Sequence, residues 1–536
     1  MVFEDDSVLV VNKPPGWNTH APAPYAGEGI YDWLRHREPR WASLAILHRL
    51  DKETSGLMVF GMTPGANRSL TAQFTDRAVG KQYEFITDRP VALEAFLVTT
   101  PIVRDGSRYA AVSGSPVGEP AETRFRVLRR EGNRTWLEAS PVTGRTHQIR
   151  VHAASRGLPI LGDVLYGGTP SGRLHLHARR LAFEHPVSGT VIEFESVPEP
   201  APTAGQLRGA FIDPLETDAF RLCQGAADGH PRVYADRLGG WLLLQAESEE
   251  AARHWLATQR DGGRAPGCIG TGDGGGAPTR GIYFKRLNRH VHSSTVAEAC
   301  PIHLEGEIAP SVVPVRENGL RFELSFAEGY SVGLFLDQRD NRRRCLVNHV
   351  GAGFPLFPGG VAGRRLLNCF AYTCGFSVAA AAGGMQTTSL DLSRKYLDWG
   401  RRNFQANAVD PADHEFIFGD VFDWLRRLAK KGRLFDAVVL DPPTFSRSKE
   451  HGDFRAESDF GELATAALRV LAPGGVLLVS TNAARLEPER FLATVSEAVT
   501  GEHRRVLQRF YAPQSPDFPV HREEPAHLKT AWFRVE

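Results

Sequence analysis

One short segment places an acidic side chain among basic ones. It reads His48-Arg49-Leu50-Asp51-Lys52, so that cationic side chains flank the carboxyl group of Asp51. Neighbouring positive charge favours the ionised carboxylate, which is the form that a nucleophile or a general base requires. The same pattern also occurs where an aspartate only caps a turn. The segment is therefore a candidate catalytic site whose role depends on the motifs around it.

A second acidic residue ends an apolar run near the C-terminus. Val438-Val439-Leu440 is followed by Asp441-Pro442-Pro443-Thr444-Phe445. A carboxylate and a rigid backbone carbonyl can accept hydrogen bonds from the amino group of a base, and an aromatic ring can stack on that base. The segment is therefore a candidate site for a base, with Asp441 and Phe445 as its hydrogen-bonding and stacking residues, although an aspartate that only caps a turn gives the same pattern.

The sequence upstream of Asp441 predicts a nucleoside site. A strand ending at Cys369 leads into a turn with Gly375 and an Ala-rich helix, and Asp391 ends the next strand. In such units the backbone approaches the ligand at the turn, and the acidic residue binds the ribose hydroxyls. A dinucleotide would also fit, although the turn lacks the full glycine fingerprint of dinucleotide-binding proteins. Gly270-x-Gly272-x-Gly274 has neither a preceding strand nor a following helix, and we interpret it as a loop.

The elements that must position these residues change along the chain. Residues 1–200 read as short strands with few helices, and residues 201–316 contain a hairpin around Gly239-Gly240. Residues 317–536 alternate short apolar runs with helical patterns, among them Arg394–Ala406 and Asp459–Leu471. This alternation is typical of a doubly wound parallel α/β sheet. We therefore predict three domains with these bounds.

Composition excludes several classes of protein. The 536 residues include 63 basic and 62 acidic side chains, so the formal net charge is +1 and an RNA-binding surface must be a local patch. Six cysteines without a CxxC pair argue against a disulfide framework and a zinc knuckle. The acidic start and the lack of a long apolar run argue against a signal peptide and a membrane span. We expect a cytoplasmic protein that does not associate with membranes.

Five ordered motifs carry a resemblance in the N-terminal region. They are Val11–Gly16, the Asp51 segment, Lys81-Gln82-Tyr83, Gly144–His152, and Leu161–Gly168 with Leu174–Ala178. Over nearly all of residues 1–200 this set resembles RluA-type pseudouridine synthases. The resemblance implies an α+β domain with a mixed sheet, and the isomerisation of uridine in RNA without a cofactor or a metal.

The same resemblance implies roles for four residues. Asp51 matches the catalytic aspartate; attack on the sugar, attack on the base and removal of a sugar proton all stay open as its role. Tyr83 matches the tyrosine that stacks on the uracil, and Arg150 matches the basic residue that pairs with the aspartate. Arg49 matches the arginine that displaces the target base, which must leave the stack. We interpret a set of histidines as packing and hydrogen-bonding residues and not as a metal site: His147, His152, His175 and His177.

The C-terminal region carries a second resemblance. Asp441–Phe445, residues 366–392 and Gly333–Arg342 together resemble bacterial large-subunit rRNA methyltransferases of the RlmI and RlmK kind over about residues 317–536. This implies a Rossmann-like class I fold, S-adenosylmethionine as cofactor and large-subunit rRNA as partner. Gly225–Arg237 resembles the small β-rich domain that precedes the catalytic domain in relatives. The resemblance implies that Asp441 and Phe445 face the target base. It also places six residues at the cofactor: Asn368, Phe370, Tyr372, Gly375, Asp391 and Asp420.

The lack of a cysteine in one segment bears on which base the enzyme methylates. Relatives that make 5-methylcytosine need a cysteine nucleophile, typically in a Ser-Cys-Ser segment, and the corresponding stretch here is Ser480-Thr481-Asn482. Methylation of nitrogen needs no covalent nucleophile. The sequence Asp441–Ser446 resembles that of the guanine methyltransferases of the family more than that of the cytosine methyltransferases. We predict methylation of guanine at N7 or N2, with cytosine C5 as the alternative.

The two resemblances together predict a bifunctional RNA-modifying enzyme. The alternative is that only one half is catalytic and the other is an RNA-binding module. A dinucleotide-dependent redox enzyme is disfavoured by Asp441-Pro442-Pro443. The sequence does not indicate an oligomeric state. Basic pairs and runs are either phosphate contacts or solvated helix faces: Arg342–Arg344, Arg401-Arg402, Arg426-Arg427 and Lys430-Lys431.

Overall fold

A computed structural model describes most of the chain: residues 1–22, 29–114, 117–198, 204–261, 278–287, 299–329, 331–448, 452–521, 524 and 526–536. The chain divides into two compact units. One comprises residues 1–35 and 40–202, and the other comprises residues 36–39 and 203–536. The loop expected at Gly270–Gly274 lies outside the described residues. Within the described residues, every helix is too short or too polar to cross a lipid bilayer.

The N-terminal unit is built on a mixed β-sheet. Its strands are β1 (Phe3–Glu4), β2 (Val8–Lys13), β3 (Ala45–Ile46), β4 (Ser55–Gly61), β5 (Gly80–Thr87), β6 (Ala95–Val98), β7 (Ile102–Asp105), β8 (Arg108–Ala111), β9 (Thr123–Glu131), β10 (Arg134–Pro141), β11 (Leu176–Glu184) and β12 (Val191–Glu195). The sheet has the order β1-β2-β4-β11-β5-β10-β9-β6; β3 also pairs with β4 and β12 with β11, and β7 and β8 form a separate hairpin. Strands β4 and β11 are parallel, whereas β5 is antiparallel to β10 and β11.

Three helices accompany this sheet in the described part of the N-terminal region: α1 (Ile30–Arg37), α2 (Pro64–Thr75) and α3 (Gln148–Ser155). Helix α2 begins where Thr63 Oγ1 accepts a hydrogen bond from the backbone of Ala66, with a proline in the first turn. All seven residues of β4 are buried. Alternate residues point to opposite faces of a strand, so β4 contributes to two cores: Met58 packs beside Leu34, and Val59 packs beside Leu70.

The second unit begins with a small β-rich sheet. Its elements are α4 (Ala204–Gly209), β13 (Ala219–Gln224), β14 (Tyr234–Leu238), β15 (Trp241–Ala246), α5 (Glu249–Asp261), β16 (Gly281–Arg286) and β17 (Ile302–Gly306). The strands lie in sequence order. The predicted hairpin at Gly239-Gly240 is confirmed, because Leu238 pairs with Trp241 and Gly239 has a φ of 61°. The expected boundary between residues 316 and 317 lies inside β18 (Val313–Glu317), which pairs with β19 (Leu320–Leu324), so the structure does not divide the chain there.

The doubly wound sheet follows. Its elements are α6 (Arg339–Leu346), β20 (His349–Gly351), β21 (Phe354–Pro355), β22 (Arg365–Cys369), α7 (Gly375–Ala382), β23 (Gln386–Asp391), α8 (Arg394–Ala406), β24 (Glu415–Phe418), α9 (Val421–Lys430), β25 (Phe435–Leu440), β26 (Phe445–Ser448), β27 (Gly452–Arg455), α10 (Ala456–Leu468), β28 (Leu471–Thr481), α11 (Pro488–Gly501), β29 (Val506–Ala512) and β30 (Lys529–Val535). The seven-stranded sheet has the order β24-β23-β22-β25-β28-β30-β29. Strands β24 to β28 are parallel along this order, and β30 is antiparallel to both neighbours. The predicted fold class is confirmed.

One predicted helix ends earlier than expected. The pattern favours a helix to Leu471, but α10 ends at Leu468 and Leu471 begins β28. Leu471 pairs with Phe435, and the backbone N–H of Phe435 donates to Val470. The pairing of Leu471 with the neighbouring strand thus overrides the local helical pattern. Predicted helix Arg394–Ala406 is confirmed, and Ser393 caps it through a hydrogen bond from Tyr396 N.

Candidate active sites

A cleft of about 1340 Å³ in the N-terminal unit contains Asp51. The loop that carries Asp51 is held in place by the buried side chain of Lys13. Lys13, which is fully buried, donates from Nζ to the carbonyl oxygens of Pro14, Trp17 and Lys52. Burial lowers the pKa of Lys13 to about 7. These contacts fix the backbone on the C-terminal side of Asp51 and leave its carboxylate facing the cleft.

The other predicted residues of this site line the same cleft. Arg150 extends from α3, and its Nη1 lies 3.5 Å from Asp51 Oδ2. Tyr83 lies on β5. Burial, and then the charge of Asp51, raise the pKa of its hydroxyl, so that the hydroxyl stays protonated. Arg49 is exposed and also lines the cleft. The structure thus brings Asp51, Arg49, Tyr83 and Arg150 together around one cavity.

The histidines of this region differ in their surroundings. His152 contacts Thr123 Oγ1 at 2.8 Å, and His177 contacts Ser55 Oγ at 2.9 Å, both in the interior. Burial, and then Arg173, lower the pKa of His177 to about 4. His175 contacts Ser171 Oγ at 2.9 Å near the surface. Hydrogen bonding and packing were expected for these residues and are observed.

His147 is different, because it lines the cleft beside Asp51. Its Nε2 lies 3.9 Å from Asp51 Oδ2, and its Nδ1 lies 2.8 Å from the hydroxyl of Tyr166. Its backbone is left-handed, with a φ of 56°, which is uncommon for a residue other than glycine. The hydrogen bond to Tyr166 fits the expectation for the histidines, and the position of His147 beside Asp51 also makes it a candidate for a role at the cleft. The signal in the sequence was its position beside Arg150 in one motif.

The second site lies at the carboxyl edge of the doubly wound sheet. Asp391 ends β23, Asp420 follows β24 and Asp441 follows β25, and Gly375 begins α7 directly after the turn that follows β22. Strand order reverses between β22 and β25, and ligands of open α/β sheets bind outside the strand ends at such a point. The topology therefore gathers the predicted cofactor and base residues at one edge.

The turn after β22 has an unusual backbone. Phe370, Tyr372 and Cys374 all have positive φ angles, of 58°, 48° and 65°. Such conformations cost energy in residues with side chains and cluster at ligand sites. Asp391 holds the turn, since its Oδ2 accepts a hydrogen bond from Tyr372 N at 2.8 Å. Burial raises the pKa of Asp391, although backbone hydrogen bonds from Tyr372 and Ser393 oppose the shift.

These residues fit the nucleoside part of S-adenosylmethionine by the chemistry of their donors and acceptors. Asp391 is half-buried, and its carboxylate can accept further hydrogen bonds from ribose hydroxyls. Asp420 caps α9 by accepting from Asp423 N at 3.0 Å, which leaves its second oxygen for another donor. Tyr372 and Phe370 are half-buried aromatic rings in the turn.

Asn368, which the resemblance places at the cofactor, is buried in the structure. Its side chain is 1% exposed and donates to Ser377 Oγ of α7 at 3.0 Å. Asn368 lies within β22, and the side chain faces the helix that packs on the sheet. It therefore holds α7 against β22.

Asp441 sits in a buried polar network that the sequence alone did not reveal. Gln338 Nε2 donates to Asp441 Oδ1 at 3.0 Å and to Ser480 Oγ at 2.7 Å. Burial, and then the charge of Asp337, raise the pKa of Asp441 to about 7. Asp337 itself contacts His527 Nε2 at 3.1 Å. Gln338 and Asp337 belong to a motif noted in the sequence, but their approach to Asp441 depends on the fold.

Phe445 begins β26, after the turn that follows Asp441. Its ring is half-buried, and the guanidinium of Arg455 lies over it at 5.3 Å from the ring centre. A ring covered by a cation on one side can stack on a base only with its other face.

The arginine run at 342–344 was interpreted either as phosphate contacts or as a solvated helix face, and the structure buries two of its members, which fits neither interpretation. Arg342 is 3% exposed and forms a paired interaction with Glu317, with Nε–Oε1 and Nη2–Oε2 distances of 2.6 and 2.7 Å. Arg344 is buried and donates to the carbonyl of Val350. Arg427 is exposed and pairs with Asp423 at 2.6 Å on α9.

Comparison with known proteins identifies the family of each region. Residues 7–155 match the RNA pseudouridylate synthase family, and residues 284–534 match the S-adenosylmethionine-dependent methyltransferase family. A ribosomal RNA large subunit methyltransferase of Deinococcus radiodurans is 33% identical over 337 residues, which cover 61% of this chain and 76% of the relative. The chain belongs to this methyltransferase family. It carries an RNA pseudouridylate synthase domain at its N-terminus and is an enzyme of both kinds.

Two further proteins illustrate the extent of the similarity. Ribosomal RNA large subunit methyltransferase I of Aeromonas salmonicida is 29% identical over 390 residues, covering 72% of this methyltransferase chain and 88% of the relative. The solved structure of human RNA Pseudouridylate Synthase Domain Containing 4 is 29% identical, covers 37% of this chain and 88% of its own, and superposes with a TM-score of 0.31.

Proposed function

We propose that this chain modifies large-subunit ribosomal RNA at two kinds of base. The N-terminal domain isomerises uridine to pseudouridine at Asp51, and the C-terminal domain methylates guanine at N7 or N2 beside Asp441. A cytoplasmic location fits an enzyme whose relatives are named for ribosomal RNA. The observation that carries the proposal is the grouping of Asp51, Tyr83, Arg150 and Arg49 on one cleft.

Each residue of the cleft has a distinct task in this proposal. Asp51 supplies the carboxylate that begins the chemistry, and Arg150 presents positive charge to it at 3.5 Å. The ring of Tyr83 stacks on the uracil, with its hydroxyl protonated. Arg49, which is exposed at the cleft, helps the uridine to leave its stack. No cofactor is needed for a rearrangement that conserves the atoms of the nucleoside.

The environment of Asp441 supports nitrogen methylation of guanine. Its hydrogen-bond partners are Gln338 and, through Gln338, Ser480. Methylation at cytosine C5 by a covalent route needs a thiolate. Cys369 ends β22, beside Leu440 of β25, and Cys374 lies in the turn after β22. Both are fully buried, and burial raises their thiol pKa, to about 12 for Cys374. Asp441 can instead accept hydrogen bonds from the N–H groups of guanine.

In this proposal the cofactor is S-adenosylmethionine, which supplies an activated methyl group on its sulfonium when bound. Phe370, Tyr372 and Gly375 shape the turn that faces it, Asp391 binds its ribose hydroxyls and Asp420 lies near its adenine. Asp441 and Phe445 orient the target base.

The test is nucleoside mass spectrometry on unmodified large-subunit rRNA incubated with the protein, with and without S-adenosylmethionine. We expect pseudouridine in both samples and N7- or N2-methylguanosine only with the cofactor. 5-Methylcytidine would refute the assignment of guanine. Pseudouridine without any methylated nucleoside would favour the alternative in which the C-terminal domain only binds this RNA.

A further inference from the structure

The segment Leu161–Gly168 is an N-terminal motif to which the proposed mechanism gives no task. It forms a tight loop with a short 3₁₀ turn at Val164–Tyr166. Two glycines make the loop possible. Gly162 has a φ of +87°, and a Cβ there would lie 1.8 Å from the carbonyl oxygen of Arg173; a Cβ on Gly168 would lie 2.0 Å from that of Ile160. The glycines thus permit close backbone approach, which fixes the position of Asp163.

Asp163 binds Arg150 in a two-point interaction. Arg150 Nε lies 2.7 Å from Asp163 Oδ2, and Nη2 lies 2.8 Å from Oδ1. The Asp163 side chain is 1% exposed and does not line the cleft. The guanidinium is planar, so two bonds to one carboxylate fix the direction of its third nitrogen. That nitrogen, Nη1, is the one that faces Asp51.

Tyr166 of the same loop contacts both partners of Asp51. The guanidinium of Arg150 lies over its ring, 5.1 Å from the centre. Its hydroxyl lies 2.8 Å from His147 Nδ1 and accepts a hydrogen bond from Tyr109 N at 3.1 Å. The imidazole is thereby oriented with Nε2 toward Asp51.

We propose that Asp163 and Tyr166 are positioning residues for the pseudouridine synthase reaction, which aim Arg150 and His147 at Asp51 from two sides. Neither touches the substrate, and both act through side chains that line the cleft. The inference rests on the proposed role of Asp51 and adds two residues to it. A misdirected guanidinium should impair the chemical step and leave RNA binding intact, because the cleft surface itself is unchanged.

The test uses large-subunit rRNA labelled with [5-³H]uridine, since the isomerisation replaces the C5–H bond and releases tritium to water. Asp163→Asn should lower kcat on the order of 100-fold, the effect of a displacement of about 1 Å at a catalytic group, with KM within about twofold. Asp163→Glu, which keeps the charge, should recover part of kcat. Tyr166→Phe should lower kcat about fivefold, the equivalent of one hydrogen bond.

Glu84→Gln is the matched control. Glu84 is also buried and accepts from Arg179 Nη1 at 2.7 Å, but it points away from the cleft on the strand that carries Tyr83. We expect kcat unchanged in this variant. Asp163→Asn with wild-type kcat, or with a loss confined to KM, would overturn the inference alone. A wild-type protein that releases no tritium would refute the proposed function and the inference with it.

Discussion

Asp441→Asn exchanges an ionisable carboxyl for a neutral amide of the same shape. Burial, and then the charge of Asp337, raise the pKa of Asp441 to about 7 from its ordinary 3.8. An asparagine can still accept the hydrogen bond that Gln338 donates. The variant should therefore keep the local structure and lose the charge, which separates the cost of burying this carboxylate from its use in catalysis.

Proton binding determines whether the free energy of unfolding of the variant, relative to wild type, rises or falls with pH. Between pH 3.8 and about 7 the folded carboxyl retains a proton that the unfolded one has released, so the free energy of unfolding of the wild type falls as the pH rises. A shift of about three pKa units corresponds to about 4 kcal/mol. Relative to wild type, the asparagine variant should thus gain about 3 kcal/mol between pH 5 and pH 7.5.

Calorimetry of both proteins at the two pH values measures this gain. At roughly 2 °C per kcal/mol for a unit of this size, the difference in Tm should grow by roughly 6 °C, and methyl transfer should be lost at both pH values. Asp436→Asn is the control, because Asp436 lies at the other end of β25, where it pairs with Arg364 at 2.8 Å. A Tm difference that is the same at both pH values, or a variant that still transfers methyl groups, would refute this assignment of Asp441.

Three further predictions concern the N-terminal domain. Lys13→Met removes the three hydrogen bonds beneath the Asp51 loop and should slow tritium release at least about tenfold, while methyl transfer, measured in the same preparation, stays unchanged. Gly162→Ala forces a side chain against the carbonyl of Arg173 at positive φ and should cost about 3 kcal/mol in denaturant unfolding; a loss below about 1 kcal/mol would contradict the tight-loop account. Thr63→Ala removes the cap of α2 and should cost about 1 kcal/mol in the same assay, with activity retained.

Much of the architecture could be predicted because it rests on local patterns. Helix Arg394–Ala406 has a Ser cap and an apolar face, and the hairpin at Gly239-Gly240 has a glycine that accepts positive φ. The end of α10 could not be predicted in this way. Leu471 leaves the helical pattern because it pairs with Phe435, which lies 36 residues earlier in the chain (471 − 435).

The same distinction between local patterns and contacts between distant elements applies to the candidate sites. Acidic residues at strand ends could be identified from sequence, since the carboxyl edge of a parallel sheet gathers them. The burial of Arg342 could not, because its partner Glu317 lies on another element. The hydrogen bond of Asn368 could not be predicted for a related reason: the position of Asn368 in the strand was evident, whereas its bond to Ser377 requires knowledge of how α7 packs.

The central claim is that one chain holds two independent active sites, and paired variants test it most directly. Large-subunit rRNA would be incubated with S-adenosylmethionine and wild type, Asp51→Asn or Asp441→Asn, and its nucleosides analysed by mass spectrometry. We predict that Asp51→Asn abolishes pseudouridine and leaves methylguanosine, whereas Asp441→Asn does the reverse. Loss of both products in either variant, or of neither, would contradict the account.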